Sequence, residues 1–145
     1  MGERTKDQTA KGSITKEGQR NLMEEIQQEQ QAEPRRMKLA YVAGKYRSKT
    51  EYGVHDNIQR AEKVALRYWA RGYAVICPHK NTAYFGGFAG LNDSVWLDGD
   101  LEMVRRCDVV IMMPDWEDSV GACTELAVAK AYGKEIIYDD SDLYW

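Results

Sequence analysis

What this sequence has little of narrows its class before any motif is read. No apolar run approaches 18 residues, so no membrane-crossing helix is expected, and the polar N-terminus lacks the apolar core of a secretory leader. Cysteine is sparse: Cys77, Cys107 and Cys123 are odd in number, form no C-x-x-C pair and lie in or beside predicted core segments. That pattern argues against a disulfide framework or a cysteine metal site and fits buried, reduced thiols in a cytoplasmic protein. Histidine is scarcer still, and His55 and His79 are not spaced as ligands, so no metal is expected. Neither sign of charge dominates. A net charge of -3 gives no reason to expect binding to a nucleic acid or an acidic membrane surface. What remains, 145 residues with 43% apolar and 30% charged, suffices for one domain with a real core.

Residues 1–36 are polar and glutamine-rich from Gln27 to Gln31. Leu22, Met23 and Ile26 make a thin apolar stripe, enough for a marginal helix that Pro34 would end. This segment is expected to be an extension, disordered or marginally helical, suited to docking on a neighbouring subunit. The domain proper is expected over 37–145. Residues 38–43 predict a first strand ended by Gly44, with the loop 45–49 after it. From Asp56, the spacing of Ile58, Ala61, Val64, Ala65, Tyr68 and Trp69 predicts a helix, with Asp56 as its N-cap and Gly72 as its C-terminal cap. Residues 73–77 read as a second strand closed by Pro78, and 78–95 as a long irregular loop. A short helix follows over 96–106, with Leu97, Leu101 and Val104 on one side.

The stretch around which the chain is organised comes next. Residues 108–113 are a short apolar run rich in β-branched side chains, read as a buried strand that Pro114 stops. Ser119-Val120-Gly121 then leads into an alanine-rich helix ending near Gly133, and 135–138 read as another strand. Two strand–helix–strand units of this kind predict a doubly wound α/β domain. The expected sheet is flavodoxin- or Rossmann-like, mostly parallel and four- to five-stranded, with helices on both faces.

In such sheets ligands bind beyond the C-terminal strand ends. Those ends bring together Tyr41, Arg47, His79, Asn81, Ser119 and Glu125, and Asp100, early in the short helix, approaches from the loop side. Each has an ordinary alternative: Glu125 as a solvated helix charge, Asp100 as a first-turn carboxylate, Arg47 as a loop charge, Ser119 as a cap. The glycines of 86–90 do not follow a strand as G-x-G-x-x-G, so no dinucleotide fingerprint is present.

Taken together, these residues resemble a known family. The stretch Tyr41-Val-Ala-Gly44-Lys-Tyr-Arg47, the pair Asp100-Leu101 ahead of Cys107-Asp108, and Ser119-Val-Gly121-Ala-Cys-Thr-Glu125-Leu126 resemble the nucleoside 2-deoxyribosyltransferases. The resemblance runs from Met37 to Tyr138. It implies that Glu125 is the nucleophile on the anomeric carbon of a nucleoside, Asp100 the supporting acid and Tyr41 the residue orienting the nucleophile. It also implies no cofactor and a homodimer or larger homo-oligomer, in which the aromatic Tyr144 and Trp145 would pack at a subunit contact.

Transferases of that family acting on free nucleosides carry an aspartate six residues before the glutamate, where this chain has Ser119. The 2′-deoxynucleoside 5′-monophosphate N-hydrolases resemble this chain in having the serine, and an arginine corresponding to Arg47. A hydroxyl at a helix N-terminus and a guanidinium both suit a phosphate. The resemblance therefore implies cleavage of nucleoside 5′-monophosphates, with Gly44, Arg47, Ser119 and Gly121 as substrate-binding residues, which His79 and Asn81 are expected to join from the end of the second strand. A helix N-terminus is expected to hold Glu125 ionised. The alternatives are base exchange on free deoxynucleosides, favoured if the loop from Thr82 to Gly90 closes tightly, and a non-catalytic nucleotide-binding module.

Overall fold

A computed structural model describes residues 13–31 and 36–140 of the chain. The chain divides into two compact units, Met1–Arg36 and Met37–Trp145. The described residues form five α-helices: α1 (Lys16–Gln31), α2 (Glu51–Ala70), α3 (the single turn Pro78–Asn81), α4 (Asp93–Arg106) and α5 (Val120–Ala131). In the first unit, α1 carries Leu22, Met23 and Ile26, all exposed. No helix among the described residues is long and apolar enough to cross a membrane.

In the second unit, strands β1 (Leu39–Ala43), β2 (Ala74–Ile76), β3 (Val109–Met112) and β4 (Glu135–Tyr138) form one sheet in the order β2-β1-β3-β4. Every pairing is parallel. Side chains alternate across the sheet as strand geometry requires. Ala40 and Val42 of β1, with Val109 and Ile111 of β3, pack on Ala61, Val64, Ala65 and Tyr68 of α2. Tyr41 and Ala43, with Val110 and Met112, face the other way onto Val104 of α4 and Ala122, Leu126 and Ala129 of α5. This is the expected doubly wound α/β fold, with four strands and both faces covered. Its strand order reverses at β1, whose neighbours are β2 on one side and β3 on the other. The loops leaving β1 and β3 diverge there and open a crevice beyond the strand ends.

Several local expectations need correction. Helix α2 starts before Asp56: Thr50 is its cap, with Oγ1 accepting the Gly53 N–H at 3.0 Å. The apolar spacing missed that start because the first turn of the helix carries no buried residue. Trp69 lies at the rim of the apolar stripe and is exposed. The segment 78–95 is less irregular than expected. It holds α3, a 3-10 turn at Phe88–Gly90, and the first three residues of α4, which Asn92 caps by accepting the Ser94 N–H. Asp100 consequently sits in the middle of α4. All three cysteines are free, but only Cys107 is buried; Cys77 and Cys123 are half-buried. Tyr144 and Trp145, the expected interface aromatics, lie outside the described residues.

Candidate active site

The crevice at the switch point encloses a cavity of about 440 Å³. One wall is the loop after β1. Gly44 opens it, packed so closely on Met113 that a Cβ there would collide with the methionine side chain. Asn57, buried in α2, holds the next turn by donating from Nδ2 to the carbonyls of Tyr46 (3.0 Å) and Arg47 (3.3 Å). His79, delivered by α3, braces the same loop from below. Its Nε2 lies 3.0 Å from the Lys45 carbonyl, and its ring meets Tyr46 edge-on at 6.0 Å. The contact assigns the proton to Nε2, which donates. Burial lowers the pKa of His79 and keeps the ring neutral, so it contributes shape and hydrogen bonding and no positive charge.

Glu125 enters from the opposite wall. Ser119 caps α5, its Oγ accepting the Ala122 N–H at 3.1 Å, which leaves the hydroxyl proton free to donate. The helix then turns Ala122, Glu125, Leu126 and Ala129 inward. Three of the four are apolar, so the carboxyl of the fourth is carried into the same layer, and Glu125 is only 6% exposed. Tyr41 faces this side of the sheet from β1. Its hydroxyl and Glu125 Oε2 are both buried and neither forms a hydrogen bond of regular geometry. The two groups nevertheless lie close enough to act on each other. Burial pushes the Glu125 carboxyl up to about 8, against a pull downward from the Tyr41 hydroxyl and with a further push from Asp100. Burial likewise raises the Tyr41 phenol well above its usual value, with Glu125 and Asp100 adding to the effect. Asp100 is lifted by burial to about 6.

These values overturn the expectation that a helix N-terminus holds Glu125 ionised. Glu125 is the sixth residue of α5, beyond the first turn in which the dipole is felt, and desolvation wins. Between about pH 6 and 8 Glu125 is therefore protonated and Asp100 ionised, so the two carboxyls together carry one proton. Two carboxyls with one proton can supply a nucleophile and an acid at the same time.

Of the residues singled out from sequence, Gly44, Arg47, His79, Asp100, Ser119, Gly121 and Glu125 line the cavity, and Tyr41 lies behind Glu125. Asn81 is not brought in. The helical turn of α3 places Pro78, His79 and Thr82 on the crevice and leaves residue 81 exposed on the outside. Sequence reasoning missed Lys45, Tyr46, Asp93, Trp96 and Asp118. A signal existed for two of them: Asp93, Trp96, Leu97 and Asp100 stand at i, i+3, i+4 and i+7, one face of α4. It went unread because the helix was expected to start at Trp96. A shallower groove of about 420 Å³ on the outer side of α5, lined by Val120, Cys123 and Ala127 among others, lacks a buried carboxyl pair. No cluster of three or more His, Cys, Asp or Glu suited to a metal occurs among the described residues.

Fold and site together define a doubly wound α/β domain with a carboxyl pair at the switch-point crevice. A family model described as domain of unknown function (DUF4406) matches residues 37–138, and the chain belongs to that family. No curated protein matches it. Among solved structures, the chain is similar to a 2-deoxyribosyltransferase from Leishmania mexicana, at 20% identity and a TM-score of 0.52. The match covers 72% of this chain and 65% of that one, just under two-thirds of its length. It is similar also to a 2-deoxyribosyltransferase from the psychrotolerant bacterium Bacillus psychrosaccharolyticus, at 19% identity and a TM-score of 0.53, covering 69% and 70%. At these identities the likeness is one of fold.

Proposed function

We propose that this protein is an N-glycosidase that cleaves nucleoside 5′-monophosphates to free base and (deoxy)ribose 5-phosphate. The observation that carries the proposal is the placement of two carboxyls, Glu125 and Asp100, in one crevice at the strand ends, with Glu125 only 6% exposed. The 2-deoxyribosyltransferase fold and the motifs around Tyr41, Asp100 and Glu125 support the same chemistry.

The reaction follows the two-step logic of retaining glycosidases. In the productive form the proton is on Asp100 and Glu125 is a carboxylate, oriented by Tyr41. Glu125 forms a bond to C1′ as the C1′–N bond breaks. The bonding pair leaves with the base, which takes its proton from Asp100. Positive charge developing at C1′ favours ionised Glu125, so a carboxyl that is mostly protonated in the empty site becomes competent as the transition state forms. Water then adds to C1′, its proton returns to the carboxyl pair, and Glu125 is released. Arg47 and the Ser119 hydroxyl hold the 5′-phosphate at the outer end.

The test is release of base from a panel of deoxy- and ribonucleoside 5′-monophosphates and the matching free nucleosides, with and without a second base. Monophosphate cleavage without an acceptor is the expected result. Turnover of free nucleosides only when a second base is present would replace this reading with a transferase. No turnover of any substrate, with binding retained, would leave a nucleotide-binding module.

A further inference from the structure

The outer end of the crevice holds a contact that the proposed reaction does not use. Arg47 Nη2 donates to Asp93 Oδ2 at 2.7 Å, and both residues line the cavity. They come from opposite walls, Arg47 from the loop after β1 and Asp93 from the first residue of α4. Their side chains are 79% and 55% exposed, so the pair stands in water, where such an ion pair is weak and exchanges readily. A phosphate gripped in the forked mode that a guanidinium favours must compete with Asp93 for the same donor.

We propose that Asp93 is a specificity-determining residue for this reaction. In the empty site it occupies Arg47 in place of the substrate phosphate, and a 5′-monophosphate must displace it to bind. The inference rests on the reading of Arg47 as the phosphate-binding residue. Displacement needs no proton transfer, because one anion replaces another on the guanidinium. The departing carboxylate is also not stranded. As the first residue of α4 it lies where the free N–H groups of the helix favour negative charge. The helix start does not depend on it either, since Asn92 already caps the helix through the Ser94 N–H at 3.3 Å. A free nucleoside brings no anion to this end and leaves the Arg47–Asp93 contact closed. Asp93 thus lowers the affinity for every phosphorylated ligand by a fixed factor while leaving phosphate-free ligands untouched.

The experiment measures binding of 2-deoxyribose 5-phosphate and of 2-deoxyribose by calorimetry, so that no turnover is required. The proteins compared are wild type, Asp93→Asn, Arg47→Ala and the double variant, each checked by its melting temperature. Wild type preferring the phosphate-bearing sugar is the arm that tests the monophosphate reading itself. If it shows no preference, that reading and this inference both fail. Given the preference, Asp93→Asn is expected to bind the phosphate sugar about two- to fivefold more tightly at low salt, the weight of an exposed ion pair, with the gain shrinking as salt is added. The same substitution in the Arg47→Ala background is expected to give no comparable gain. Unchanged or weaker binding by Asp93→Asn would show that the pair merely braces the crevice, and would overturn the proposal. An equal gain with and without Arg47 would overturn it as well, because Asp93 would then be acting at a distance and not by occupying the guanidinium. Asp93→Ser repeats the comparison with a side chain that holds no amide.

Discussion

The two ends of the crevice use the same kinds of side chain to opposite effect. At the inner end burial raises the carboxyls of Glu125 and Asp100 to about 8 and about 6. At the outer end Asp93 meets Arg47 in solvent at 2.7 Å. Desolvation governs the first pair, and solvent screening the second. The difference is one of solvent: a dry end whose carboxyls are pushed toward their protonated forms, and a wet end whose ion pair stands exposed to water.

The comparison is broken most severely by removing the proposed nucleophile. Glu125→Gln is expected to lower base release by more than about a thousandfold while ligand binding survives, read by single-turnover assay and calorimetry. Near-normal turnover would transfer the chemistry elsewhere. Asp100→Asn should cost about a hundredfold or more, the usual weight of a general acid, and should change the shape of the pH profile. With both carboxyls present, one proton is required, so kcat/KM should be bell-shaped with limbs near 6 and 8. Without Asp100 only ionised Glu125 is needed. The alkaline limb should vanish, and the remaining rise should lie below 8, because the negative charge of Asp100 no longer opposes ionisation.

The dry end should also reveal itself in stability. The folded pKa of Glu125 lies above its ordinary value of 4.5, so the native state holds its proton more tightly than the unfolded chain does. That contribution is fully present below about pH 4.5 and is lost as pH rises through about 8. Glu125→Gln should therefore match wild type near the acid end of this window and exceed it by a few kcal/mol above pH 8, in denaturant titrations at the two pH values. A difference independent of pH would mean that the carboxyl is not desolvated in solution.

Changes at the wet end are expected to be smaller and selective. Arg47→Ala should raise KM for monophosphates by roughly one to two decades, the weight of a charge-assisted hydrogen bond, and leave free nucleosides nearly unaffected. Smallest is Ser119→Ala. Loss of its bond to the Ala122 N–H should lower stability by about 1 kcal/mol, measured by thermal unfolding, with a modest loss of monophosphate affinity beside it. Equal losses on phosphorylated and free substrates for both variants would end the phosphate-clamp reading.

Much of this protein was legible in one dimension, because the signals are local. The β-branched run at 109–112 declares a buried strand, and the alanines around Glu125 declare which face of α5 turns inward. Ser119 as cap and Gly44 at the end of β1 follow from the same short-range chemistry. Those features determine the doubly wound fold and place a carboxylate at its crevice. The protonation of that carboxylate, the exclusion of Asn81 and the pairing of Arg47 with Asp93 were decided only by the tertiary structure. Ionisation depends on how much water the surrounding layers remove, and an ion pair between residues 46 positions apart depends on where two walls meet in space. Neither quantity has a period or a spacing along the chain.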